Sequence, residues 1–206
     1  MALLTIISAV SWAVPLGVGV SLFNRLEREA KILVAYLILI GLVEAFSFYQ
    51  ALNKVSTIWL FHVFTPLEYG FLVVVFSYWQ KRPLLRLVLQ LSIPLFALIC
   101  IANKLFMENL VSFDNFSTSL ESLVLIIISV RTLFDLSREN SSTLSKDSRF
   151  WIAIAVLTYF SGNLPTFAFA NVIAVSSIKH ILNVISNILF ARGFLCYRLK
   201  YRLYGV

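Results

Sequence analysis

Eight polar side chains stand inside long apolar runs: Glu44, His62, Thr65, Glu68, Asn163, His180, Asn183 and Asn187. Glutamate can carry a charge or a titrating proton, histidine can shuttle a proton or ligate, and asparagine can orient a bound group by two donors and an acceptor. The stretch Thr57–Trp79, TIWLFHVFTPLEYGFLVVVFSYW, concentrates this chemistry. Trp59 and Trp79 lie twenty positions apart, roughly 30 Å along a helix, and read as the two interfacial anchors of a membrane-crossing segment. Glu68 then falls near the bilayer centre, where a carboxyl group must be protonated, paired or facing water.

The elements that carry these residues follow from composition. Hydrophobic residues make up 60% of the 206 and charged residues 13%, with a mean hydropathy of +0.88. No water-soluble domain of this length has interior enough for so much apolar surface, so lipid is the expected solvent. The net charge of +7 lies in short clusters between apolar runs. That pattern argues against nucleic acid as a partner. The apolar amino terminus lacks a preceding basic segment and reads as an uncleaved first span.

Seven spans are expected, at about Leu3–Leu22, Ile32–Ala51, Thr57–Trp79, Leu84–Ala102, Ser117–Leu136, Arg149–Ala170 and Ser176–Tyr197. Pro15 should kink the first, and Ser161-Gly162-Asn163 with Pro165 should interrupt the sixth. Ser137–Ser148 is the most polar loop, and Asn171 marks a turn. The 17 Lys and Arg residues divide three, one, three, one, four, one and four over the successive loops and tail, so alternate sides hold 14 and 3. By the positive-inside rule the amino terminus is outside and the carboxyl terminus in the cytoplasm. The implied setting is a bacterial cytoplasmic (inner) membrane. Cys100 and Cys196 then fall on opposite sides and cannot form a disulfide. An echo at an offset of 118 residues pairs Lys31 with Arg149, Asn53 with Asn171, His62 with His180 and Thr65 with Asn183. It suggests a 3+1+3 repeat of the kind that places solute sites between halves.

On the third span His62, Thr65 and Glu68 step by about 300° each, and Tyr69 returns to the histidine's face. They read as one polar flank turned inward. Glu44, Glu121, Asn163, His180, Asn183 and Asn187 converge on the same outer half. The competing reading is plain helix cross-linking, since Asn, Thr and His join membrane helices by hydrogen bonds of about 1 kcal/mol or less. Glu121 and Lys179 lie near span ends and are expected to snorkel to water, as is Arg192 toward the inner face. Arg131 is expected to pair with Asp135 one turn on.

There is no HExxH, no Gly-x-Ser-x-Gly and no phosphate-binding loop, so hydrolytic and nucleotide chemistry have no motif behind them. A haem between His62 and His180 has no other support. A retinal lysine would sit mid-membrane, whereas Lys179 lies toward the outer end of its span. No cofactor or metal is expected.

The run Trp59-Leu60-Phe61-His62-Val63-Phe64-Thr65-Pro66-Leu67-Glu68-Tyr69 resembles a group of small, uncharacterised bacterial multi-pass membrane proteins, whose third span carries an aromatic–His–x–aromatic–Thr–x–x–Glu pattern. The Asn-bearing last helix, His180 to Gly193, is similar to the end of that group. The resemblance implies an all-α, seven-helix membrane bundle and carries no activity. The expected function is an outward-facing polar cavity that binds or moves a small solute, lipid head group or proton. The alternative is a structural subunit whose polar residues only join helices, a second copy of the chain or another membrane protein.

Overall fold

The computed structural model describes residues 2–106, 114–139, 144–168 and 176–204, and the regular elements among them are all helical. The first span is two helices, α1 (Ala2–Val10) and α2 (Ala13–Ser21). Its break falls at Ser11–Trp12, one turn before Pro15, because the proline ring would strike the Ser11 carbonyl and offers it no N–H. Helix α3 (Arg28–Leu52) ends where the Asn53 side-chain amide donates back to the Tyr49 carbonyl at 2.9 Å and Lys54 turns left-handed at φ 57°. Helix α4 (Ile58–Trp79) runs unbroken through Pro66. Helix α5 (Pro83–Phe106) has its proline at the first position, where a missing N–H costs nothing.

Asp114 caps α6 (Asn115–Glu139), its Oδ1 accepting from the Ser117 N–H at 3.1 Å. A 3₁₀ turn, Leu144–Lys146, leads into α7 (Ser148–Ala168), so the polar loop expected at Ser137–Ser148 is shortened from both ends. Contrary to expectation, α7 is not interrupted at Ser161-Gly162-Asn163. The side chains of Ser161 and Asn163 donate to carbonyls one turn back, Leu157 at 2.6 Å and Tyr159 at 2.8 Å, so these donors find partners inside the helix. Helix α8 is Ser176–Tyr204, and the expected turn at Asn171 lies outside the described residues.

Six elements close a ring in the order α1/α2, α3, α4, α6, α7, α8, with α5 packed outside on α4 and α6. One end of the ring is filled by Leu33 and Leu37 from α3, Val73 and Phe76 from α4, Ile152 and Val156 from α7, and Phe194 from α8. Close approach of α7 and α8 depends on two glycines. A Cβ on Gly162 would strike the Leu182 side chain, and one on Gly193 would come within 2.8 Å of Ile152.

The outer surface is apolar. Leu84, Val88, Leu91, Leu95, Leu98 and Leu105 of α5 are all exposed, most of them at three- and four-residue spacings. Five segments are long and apolar enough to cross a membrane: Leu3–Ser21, Arg28–Leu52, Ile58–Trp79, Pro83–Phe106 and Ile178–Tyr197. The chain is thus an all-helical bundle with five candidate membrane helices, joined by α6 and α7 of 25 and 21 residues.

Candidate functional site

A cavity of about 280 Å³ occupies the end of the ring opposite that packed core. It lies against the middle of α3, the first halves of α4 and α8, and the α1–α2 break. Each helix contributes one stripe at helical spacing: Tyr36, Ile40, Val43 and Glu44 from α3; Phe61, Phe64, Glu68 and Leu72 from α4; Lys179, His180, Asn183, Ser186, Asn187 and Phe190 from α8. The α1–α2 break adds Thr5, Ser8, Ala9 and Trp12, and α7 adds Val156, Tyr159 and Phe160. The volume lies at the low end of small-ligand sites, and mostly apolar walls with a few convergent polar groups are typical of such sites.

Glu68 is the deepest carboxylate of the lining, about 15 Å along α4 from its first residue. It is buried, and the Tyr36 hydroxyl donates to its Oε1. Glu44, exposed, stands toward the mouth. Lys179, partly buried, lines the same space.

The asparagines of α8 attach the broken first span. Asn183 Nδ2 donates to the Ser8 carbonyl at 3.1 Å and to Ser8 Oγ at 3.0 Å. Asn187 Nδ2 donates to Ser11 Oγ at 2.7 Å and to Asn183 Oδ1 at 3.4 Å. Thr5 Oγ1 and His180 Nε2 are 3.3 Å apart at the mouth. The helix break frees polar groups of α1 for partners outside the helix, and α8 supplies them.

The single polar flank expected on α4 divides in two. Positions 61, 64, 68 and 72 face the cavity, whereas His62, Thr65 and Tyr69 lie on the adjoining face. His62 Nδ1 is 3.3 Å from Asp114 Oδ2, and Lys104 Nζ is 2.7 Å from the same oxygen. Asn103 Nδ2 donates to Asp114 Oδ1 at 3.5 Å and to Ser117 Oγ at 3.3 Å. Thr65 donates to the Phe61 carbonyl at 2.9 Å, and the Tyr69 hydroxyl donates to Ser92 Oγ at 2.9 Å. The reason is geometric: a one-residue step turns a helical side chain by about 100°. His62 therefore belongs to a separate buried cluster with Asp114, while Thr65, also buried, bonds within α4.

Asn163 also stands apart from the cavity lining, fully buried and bonded within α7. Glu121 is 2% exposed, contradicting its expected snorkelling. It sits on the α6 face that carries Ser117, Thr118, Ser122 and Leu125, all buried. Its Oε1 has no hydrogen-bond partner among the described residues. Arg131 pairs with Asp135 at 3.8 Å as expected, and Arg192 lies over the Trp151 ring at 5.5 Å. The repeat partners His62 and His180 occupy unlike surroundings, one against Asp114 and the other at the cavity mouth.

Sequence reasoning missed Tyr36, Lys179 and the serines of the first span as site residues. Tyr36 could have been found, since it lies eight positions before Glu44 and so close to its helical face. Cys100 and Cys196 are both free and buried. Among the described residues no group of three or more His, Cys, Asp or Glu is placed to hold a metal ion. No family model, curated protein or solved structure matches this chain.

Proposed function

We propose that this protein is a seven-span bundle of a bacterial cytoplasmic membrane, with its amino terminus outside, whose cavity opens outward and binds or moves a small solute. The observation that carries this is a buried carboxyl group, Glu68, lining a cavity and held there by the hydroxyl of Tyr36 on a facing helix. A carboxyl group this deep in an apolar bundle is expensive unless something uses it. In this reading Glu68 and Glu44 supply charge, Lys179 balances part of it, and His180, Asn183 and Asn187 orient the bound species. A transporter of this kind would show flux in liposomes, and a receptor would bind without flux.

A second reading has its own observation. Asn183 and Asn187 already spend their amide donors on Ser8 and Ser11, as residues that only join helices would. In that reading the chain is a structural subunit.

Thiol accessibility separates the two. Single cysteines are placed at Glu44, Glu68 and Asn187, with Asn163→Cys as a buried control, after Cys100 and Cys196 are replaced. Intact cells are then treated with a membrane-impermeant maleimide. Labelling of Glu44→Cys and Glu68→Cys, with Asn163→Cys protected, is the outcome expected of an outward cavity. Protection of Glu68→Cys while a Lys54→Cys surface control reacts would overturn it in favour of the structural subunit.

A further inference from the structure

We infer that the cavity takes a small organic ammonium ion, with Glu68 as its counter-ion and the rings of Tyr36, Phe64, Tyr159 and Phe160 as its cage. The inference rests on the proposed outward cavity and names the class of molecule it admits.

Charge is the first argument. The lining holds two carboxylates, Glu44 and Glu68, against one ammonium, Lys179. The remaining ionisable members are the His180 imidazole and the phenols of Tyr36 and Tyr159. Among the described residues no arginine lines the cavity: Arg131 pairs with Asp135, and Arg192 lies over the Trp151 ring. A site with surplus carboxylate repels an anion and selects a cation, and does so more strongly the less water it holds.

Donor geometry is the second. The Tyr36 hydroxyl occupies Glu68 Oε1. No described side chain donates to Oε2, which is left to whatever enters the cavity.

The walls are the third. Trp12, Tyr36, Phe61, Phe64, Tyr159 and Phe160 all line the cavity. Aromatic faces attract a cation through the ring quadrupole, and a cage of rings around a carboxylate is the arrangement that recognises alkylated ammonium groups. A strongly hydrated inorganic cation would want carbonyl and carboxylate oxygens in number instead.

The test uses the full chain purified in detergent and two probes of one shape. Choline carries a trimethylammonium group, and its uncharged carbon analogue carries a tert-butyl group in the same place. Calorimetric titration should show choline binding at least about 30-fold more tightly than the analogue, the factor that a desolvated cation–π contact of about 2 kcal/mol implies. Glu68→Gln should weaken choline at least tenfold, and Phe64→Leu, which leaves every charge in place, should weaken it several-fold. Wild-type protein that binds both probes alike, or neither at millimolar concentration, would overturn the inference. If neither binds but Glu68→Cys still labels from outside, the cavity stands and only the ligand class falls. If that label fails too, both readings fall together.

Discussion

Asp114 holds the second polar cluster together from a position with no solvent exposure. Its carboxylate faces the His62 ring and the Lys104 ammonium and also caps α6, so three helices meet at one side chain. Removing one partner of a buried ion pair strands the other, at a cost of about 3–5 kcal/mol in measured cases. Asp114→Ala is therefore expected to lower unfolding stability in detergent by that amount. Asp114→Asn should cost less, since an amide oxygen can still accept from the Ser117 N–H. A loss below about 1 kcal/mol for Asp114→Ala would mean that Lys104 finds water without it. Labelling at Glu68→Cys should survive either change, because His62 and its partners do not line the cavity. The residue types of His62 and Glu68, set in an apolar run, are enough to mark α4 as the helix that carries chemistry. Residue type does not give the direction of each side chain. Positions 62 and 68 lie about 120° apart on a helix, and only the neighbouring helices decide which face meets which cluster.

At the scale of elements, apolar periodicity and punctuation were enough to place most helices. Pro83, Asn53 and the polar stretch after Arg138 mark real ends, and five of the expected spans reappear as membrane-length helices. Interruptions were harder to read, since a proline breaks a helix only where the chain cannot absorb the lost bond. Pro15 splits the first span at Ser11–Trp12, whereas Pro66, Pro94 and Pro165 all sit inside continuous helices. The break at Ser11 is packed against α3 through a close contact. A Cβ on Gly41 would lie 2.6 Å from the Trp12 ring, while one on Gly17 would meet nothing within 4 Å. An indole has no flexible end that could move aside. Gly41→Ala is expected to cost about 1–3 kcal/mol, as overpacking does. Because Trp12 lines the cavity, the same change should also alter labelling at Glu44→Cys. Gly17→Ala should be neutral or stabilising by up to about 1 kcal/mol. Equal stability of the two variants would show that α1 and α2 pivot freely on α3.

For the whole molecule, the question is whether α6 and α7 cross the membrane with the other five. The proposed seven-span bundle has them do so, and their contacts support that proposal. At one end of α4, His62 meets Asp114 ahead of α6; at the other, Lys81 meets Glu139 at the end of α6, at 2.9 Å. Helix α6 thus accompanies α4 from end to end, which is the arrangement the proposed seven-span bundle requires. Helix α7 begins beside Glu139, which Arg149 approaches to 3.6 Å. It returns along α8, with Ile152 against Gly193 and Gly162 against Leu182. Charge gives an independent argument. With seven crossings the basic residues divide 14 to 3, but if α6 and α7 stay on one side, their loop and its neighbours move outside and the division falls to 10 against 7. The carboxyl terminus cannot settle this, because removing two crossings leaves it on the same side. Lys146, exposed in the turn between α6 and α7, can. Lys146→Cys should resist an impermeant maleimide in intact cells and react once the membrane is permeabilised, placing it with the basic majority. Reaction in intact cells would put the turn outside and reduce the bundle to five crossings. The α4–α6 pairing would then have to form outside lipid, where the exposed Leu123, Ile127, Val130 and Phe134 of α6 would need a protein partner to cover them.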